Sequence, residues 1–154
     1  DAVLEPLNDH LQDYKDLMTI YYGSGDQACY RGPRLYDTDR TKEVVKEVVK
    51  WYKEYRDIMN ADIIHLRRPD GRDWDGIMHV SSQLKQKAFG LIYNPTDKPM
   101  ERTITLPLYY TGLNKKAIVK MENQTKDIYK IDRDYNIELT IVIPAKSHRW
   151  FVVE

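Results

Sequence analysis

The sequence predicts an α+β protein in which two N-terminal helices precede an antiparallel β-sandwich of about eight strands. In the first part of the chain, apolar residues recur at three- and four-residue steps, which is typical of amphipathic helices. From residue 61 onward, short segments alternate between apolar and polar residues, and turn-forming residues separate them. We therefore divide the chain into residues 1–60, two helices with an ordered loop, and residues 61–154, the sandwich.

Each predicted helix carries one apolar stripe. In the first, the stripe consists of Leu4, Leu7, Leu11, Tyr14, Met18 and Tyr21. Its last stretch, "LMTIYYG", is also β-prone, so helix and strand both stay open there. The second helix begins at Thr38 or Asp39, either of which is a good N-cap, and runs through "RTKEVVKEVVKWYKEYRDIM". Its apolar side comprises Val44, Val45, Val48, Tyr52, Tyr55 and Met59.

The predicted strands are short and rich in β-branched and aromatic residues. They are "IIHL", "GIMHV", "KAFGLIYN", "RTITLPL", "KAIVKM", "DIYKI", "NIELTIVI" and "RWFVV". Alternation predicts inward-facing side chains at Ile104, Leu106 and Leu108, and at Ile137, Leu139, Ile141 and Ile143. We also expect Trp150 to be buried in the sandwich.

Composition excludes several classes of protein. No apolar run of about 18 residues is present, so the sequence predicts no membrane-spanning helix. The 24 basic and 24 acidic residues balance, unlike the charge of a typical nucleic-acid binder. The lone Cys29 cannot form an internal disulfide and is interpreted as a packed or loop thiol.

The start of the chain at Asp1 and its two helices suggest an excised piece of a longer protein. A sandwich covers only one face of each helix, so residues 1–60 are predicted to end a larger helical or barrel domain. We then expect the first helix and the outer stripe of the second to expose an apolar patch that drives self-association.

Three stretches carry a family resemblance: "YYGSGDQACYRGPRLYD", "VVKWYKEYRDIMNADIIHLRRPDGRDWDGIMHV" and "KAFGLIYNPTDKPMERTITLPLYYTGL". Roughly residues 20–113 resemble the C-terminal end of α-galactosidase-like glycoside hydrolases of polysaccharide-degrading bacteria. In that family a (β/α)₈ catalytic barrel leads into a C-terminal β-sandwich. The family's catalytic carboxylates lie on earlier barrel strands and match no position here.

The resemblance implies a non-catalytic part that buttresses the missing N-terminal barrel and lines its substrate site. It implies no cofactor and a periplasmic or extracellular location, while the composition predicts no nucleic-acid or membrane partner. The alternatives are a free-standing carbohydrate-binding module, in which exposed aromatic rings hold the sugar, and a structural domain without a ligand.

The densest polar cluster is "HLRRPDGRDWDGIMHV". Asp73 and Asp75 have a spacing that permits acid–base catalysis of glycoside hydrolysis without being diagnostic of it. Arg67, Arg68 and Arg72 supply enough positive charge to keep nearby carboxylates ionised, which favours ion pairs around a Pro-Asp-Gly turn.

Other side chains of this cluster have two interpretations each. His65 and His79 fall in adjacent predicted strands, where a packed cross-strand pair is favoured over a metal site without a third ligand. Trp74 is either a platform for a sugar ring or a side chain packed against the second helix or the barrel.

Two further groups are candidate substrate contacts. In the loop "GSGDQACYRGPRLYD", Asp26, Gln27, Tyr30 and Arg31 would contact substrate if the loop follows the last barrel strand. The alternative is an ordered connection in which Arg31 and Arg34 pair with Asp37 and Asp39. Tyr109 and Tyr110 suit either sugar contact or the sandwich core, and the core is favoured.

Overall fold

The computed structural model describes residues 4–26 and 32–154. Two helices precede eight strands, as the sequence predicts, and short 3₁₀ turns lie at Leu7–His10 and Tyr109–Thr111. The helices are α1 (Leu11–Gly23) and α2 (Asp39–Met59), and the strands are β1 (Asp62–Arg67), β2 (Asp75–Val80), β3 (Ala88–Asn94), β4 (Met100–Pro107), β5 (Lys116–Met121), β6 (Lys126–Lys130), β7 (Asn136–Ile143) and β8 (Ser147–Val153).

The strands form two antiparallel sheets. The large sheet has six strands in the order β1-β2-β3-β8-β5-β6, and the small sheet pairs β4 with β7. The register of the small sheet places Ile104 opposite Leu139, so both inward sets meet on one face. The side chains predicted to face inward on β4 and β7, together with Leu108, are all buried. The predicted sandwich is therefore confirmed.

Both helices follow local sequence signals. At α2, the Thr38 hydroxyl accepts a bond from the Thr41 amide while the Thr41 hydroxyl accepts one from the Thr38 amide, which forms a capping box. Thr38 is thus the N-cap. The β-prone end of α1 stays helical through Gly23, where the Ser24 amide donates to the Ile20 carbonyl.

The helices cover the outer face of the large sheet, and the small sheet covers its inner face. Alternation along β8 sends Phe151 and Val153 into the sandwich core and turns Trp150 and Val152 toward the helices. The Trp150 ring lies 5.5 Å from the Trp51 ring of α2, centroid to centroid. Trp150 is partly buried in the helix-facing cluster, so its expected place in the sandwich core is wrong.

The expected exposed stripe on the helices is also wrong for the residues that the structure describes. Leu7, Tyr14, Met18 and Val48 form a buried cluster where α1 packs against α2. No large hydrophobic side chain of the described parts of either helix is exposed. The helices therefore do not supply the patch that we expected to drive self-association.

Neither helix is long and apolar enough to cross a membrane.

Candidate functional site

The β1–β2 connection is a turn held by ion pairs and side-chain bonds, as predicted. Arg67 donates to Asp70 at 2.7 Å and to the Trp74 carbonyl at 2.6 Å. The other oxygen of Asp70 accepts from the amides of Arg72 and Asp73. The Arg67 guanidinium and these amides hold the pKa of Asp70 well below its usual range.

Asp73 and Asp75 lie in different environments. Asp73 accepts bonds from the Trp74 amide at 2.8 Å and from Arg102 Nε of β4 at 3.1 Å. Asp75 instead lines a groove on the outer face of the large sheet, and Asp73 does not. The pairing of Asp73 with Arg102 and the different surroundings of Asp75 favour structural roles over an acid–base pair.

Asp75 departs from the expectation that the arginines keep every nearby carboxylate ionised. Burial raises the pKa of the Asp75 carboxyl, while Arg67 opposes the shift only in part. No ion pair joins Asp75 to a basic side chain in the described part of the chain. Desolvation therefore outweighs the nearby positive charge at this position.

The groove next to Asp75 has a volume of about 560 Å³ and a largely apolar floor. Strand register explains its polar end, because Asp75 pairs with Tyr93, which pairs with His148 on β8. The next row places Ile77 and Leu91 in the floor, with His65 of β1 beside them. Tyr93 and His148 were missed in the sequence, because only the register brings these three strands together at this point.

The predicted histidine pair does not form. The register places His65 opposite Ile77 and His79 opposite Ile63. The buried His79 contacts backbone carbonyls with both ring nitrogens, Nε2 at 2.8 Å from Gly23 and Nδ1 at 3.3 Å from Ala61. His79 on β2 thus contacts the end of α1 and the residue that precedes β1, and His65 lies exposed at the groove.

Trp74 is partly buried against the sandwich core, not against α2. Its ring lies near Gly76, where an added Cβ would stand 3.5 Å from the Trp74 ring. Ile92 lies on the same inner face. This position gives Trp74 a packing role at the end of the sandwich.

Of the four candidate contacts in the loop after α1, only Asp26 lies within the described residues; Gln27, Tyr30 and Arg31 lie outside them. Asp26 is exposed, and its amide donates to the Tyr21 carbonyl at 3.0 Å. A Cβ placed on the preceding residue, Gly25, would lie 3.7 Å from the Ile63 side chain. The chain therefore leaves α1 beside the apolar groove.

Tyr109 and Tyr110 are exposed, so the prediction that they belong to the core is wrong. They lie on the 3₁₀ turn after β4, where Leu108 and Thr111 take the buried positions instead. Their exposure is the feature that separates a carbohydrate-binding surface from a simple support.

A second cleft, of about 390 Å³, lies where α1 and α2 meet the end of β8. Its charged groups pair with one another: Lys15 with Glu47 at 2.7 Å, and Arg149 with Glu122 at 2.6 Å. The buried Nδ1 of His148 makes no hydrogen bond to any described residue and lies 4.0 Å from the Asp16 carboxylate. We interpret the cleft as a structural junction, because its charges are already paired.

Within residues 4–26 and 32–154, no three His, Cys, Asp or Glu side chains cluster closely enough to hold a metal ion.

Comparison of the sequence with protein-family models and with curated proteins gives no match. Solved structures do share the fold. The α-galactosidase I of Mortierella vinacea matches with a TM-score of 0.62 at 14% identity, over 97% of this chain and 38% of its own. An α-amylase of Geobacillus thermoleovorans matches with a TM-score of 0.59 at 14% identity, over 94% of this chain and 33% of its own.

A GH27 β-L-arabinopyranosidase of Geobacillus stearothermophilus matches with a TM-score of 0.60 at 10% identity, over 91% of this chain and 30% of its own. The chain thus spans about a third of the length of the glycosidases that it matches. At these identities the likeness establishes a shared fold. It agrees with the resemblance to the C-terminal region of α-galactosidase-like enzymes.

Proposed function

We propose that this chain is the non-catalytic C-terminal part of a glycoside hydrolase, and that it buttresses a (β/α)₈ catalytic barrel. The observation that carries the proposal is the fold likeness, which covers nearly all of this chain and only about a third of each glycosidase. The separation of Asp73 from Asp75 supports a non-catalytic role, because one carboxylate is paired with Arg102 and the other lines a groove.

We propose that the barrel packs against the apolar groove. The groove lies at the β1 end of the large sheet, on the face that α1 and α2 cover elsewhere. Ile63 contributes an exposed apolar side chain there, and the loop after α1 departs from the same edge. In this arrangement residues 1–60 complete the barrel, and the loop containing Asp26, Gln27, Tyr30 and Arg31 lines its substrate site.

The gene upstream of the Asp1 codon tests this proposal directly. We expect it to encode, in the same reading frame, an alternating β/α segment about twice the length of this chain, with paired carboxylates at strand ends. An export signal before that segment would support a periplasmic or extracellular location. A stop codon, or an upstream domain of another fold, would contradict the proposal.

The alternative function, a carbohydrate-binding module, is favoured by one observation, the exposure of Tyr109 and Tyr110. Tyr110 does not line the apolar groove, although Ile63 lines both the groove and the cleft beside Tyr110.

A further inference from the structure

Three exposed tyrosines form one cluster at the end of the sandwich. Tyr109, Tyr110 and Tyr135 are 64%, 66% and 39% exposed. The Tyr109 ring meets Tyr110 edge to face at 5.2 Å and Tyr135 in the same way at 5.3 Å, centroid to centroid. An exposed aromatic cluster of this kind leaves ring faces available to a ligand.

The backbone holds Tyr135 in place for this contact. Its φ of 64° is in the left-handed region, which a bulky residue rarely adopts. Three bonds fix that conformation: the Leu108 amide donates to the Tyr135 carbonyl at 2.8 Å, the Tyr135 amide to the Asp132 carbonyl at 3.1 Å, and the Asn136 amide to the Asp132 side chain at 2.9 Å. These bonds hold the backbone of Tyr135 in the conformation that brings its ring to Tyr109.

Tyr110 also forms one wall of a cleft of about 650 Å³. Asp62, Ser81, Ser82 and Gln83 supply hydrogen-bonding groups to this cleft, and apolar residues, among them the exposed Ile63, line the remainder. The Asp62 carboxylate and the Gln83 side-chain carbonyl accept no hydrogen bond from the described residues, so both can accept from hydroxyl groups. The Gln83 amide donates to Ser82, which orients it.

We propose that Tyr110 and this cleft bind a neutral pyranose of an oligosaccharide or polysaccharide, with Tyr109 and Tyr135 contacting the next sugar. The apolar face of a pyranose stacks on an aromatic ring, and its hydroxyl groups need several acceptors and donors nearby. A polyanion is disfavoured because a carboxylate lines the cleft and no Lys or Arg does. The three exposed rings are tyrosines, and each adds a hydroxyl group that can bond to the hydroxyl groups of a sugar.

Affinity electrophoresis tests the site. Native gels would contain galactomannan, arabinogalactan or soluble starch, and dextran sulfate would serve as the polyanion. We expect at least one neutral polysaccharide to retard the wild-type chain, and Tyr110→Ala to weaken the association constant about tenfold or more. Tyr110→Phe, which keeps the ring, should retain most of the retardation. Gln83→Ala should weaken it as well.

Tyr36→Ala is the matched control, because Tyr36 is an exposed tyrosine outside the cluster. Its retardation should equal that of the wild type. Circular dichroism would show that each variant is folded, which we expect because the substituted side chains are exposed.

The proposal would be overturned by absence of retardation in all three neutral polysaccharides, or by equal retardation of wild type and Tyr110→Ala. Sedimentation velocity without polysaccharide tests whether a second copy of the chain occupies the site instead. A dimer that Tyr110→Ala dissociates would show that the cluster is a self-association surface, and this result would also overturn the proposal. The result does not depend on whether a barrel precedes the chain, so it can fail independently of the proposed function.

Discussion

His148 is the most informative titratable side chain of the fold, because it is held where α1 meets the large sheet. Its side chain is only 9% exposed. Burial lowers the pKa of His148, while the carboxylates of Asp16 and Glu122 favour its charged form and Arg149 and Lys15 oppose it. The folded protein therefore holds this imidazole neutral under conditions in which the unfolded chain protonates it.

This lowered pKa predicts a pH dependence of stability. Above the unfolded-state pKa of 6.5 the stabilisation is complete. As the pH falls from that value toward the lower pKa of the folded state, the unfolded chain binds a proton first, and the free energy of unfolding decreases. Urea unfolding of wild type and His148→Gln between about pH 8 and pH 5 checks this. The variant should show a shallower decrease, and parallel curves would contradict the assignment.

In the β1–β2 connection, the number of nearby arginines does not decide which carboxylates form ion pairs. Asp70 pairs with Arg67, one of the three arginines that the sequence predicts as partners, whereas Asp73 pairs with Arg102 of β4, which was not predicted. Asp75 is two residues beyond Asp73 and faces the groove, where burial dominates its pKa. Which carboxylate becomes desolvated depends on where the turn ends and the strand begins, and the sequence gives that boundary only approximately.

At the scale of the elements, β7 tests the sandwich core. Leu139 is buried opposite Ile104, so Leu139→Ala should lower the free energy of unfolding by about 2–5 kcal/mol. Val142 lies on the other face of the same strand and is exposed. Val142→Ala should therefore change the free energy by less than about 0.5 kcal/mol. Equal effects in a urea titration would show that the two faces had been assigned wrongly.

Most elements could be predicted because each has a local cause. The alternation of "NIELTIVI" fixes the inward face of β7, and Thr38 marks the start of α2. The strand-like composition of "LMTIYYG" did not end α1, because the packing of Tyr14 and Met18 against α2 outweighs local preference.

The errors concern which surface an element faces. Trp150 alternates correctly but faces the helices, and the sequence does not show that this sheet has both faces covered. His65 and His79 do not face each other, because the register of β1 and β2 is shifted by two residues from the one that would pair them. Tyr109 and Tyr110 lie in a 3₁₀ turn, where the alternation that predicts burial no longer applies.

The whole molecule has three layers: the helices, the large sheet and the small sheet. The helices cover the middle strands of the large sheet and leave its two edge strands, β1 and β6, with exposed isoleucines. Ile63 on β1 is 46% exposed beside the groove, and Ile128 on β6 is 70% exposed. Substituting each of these two residues can distinguish a specific contact between the groove and the barrel from a general effect of exposed apolar side chains.

In the glycoside hydrolase that we propose, Ile63→Asp should therefore weaken the packing of the barrel against the groove by about 2 kcal/mol and reduce hydrolytic activity. Ile128→Asp should leave both unchanged. In the 154-residue chain alone, neither substitution should matter much, since both side chains are exposed. Thermal unfolding and initial rates of the two full-length variants provide the comparison. Equal losses from both would count against the groove as the contact with the barrel.

Hydrolysis of para-nitrophenyl α-galactoside by the 154-residue chain tests the central claim, that this part of the protein is not catalytic. Asp73→Asn and Asp75→Asn are suitable comparisons. Asp75→Asn in particular should not reduce stability at neutral pH, because burial disfavours the charge that it removes. We predict no rate above the background for the wild-type chain or for either variant, even at high protein concentration. Turnover by the wild type that Asp73→Asn or Asp75→Asn abolishes would show that these carboxylates form an active site.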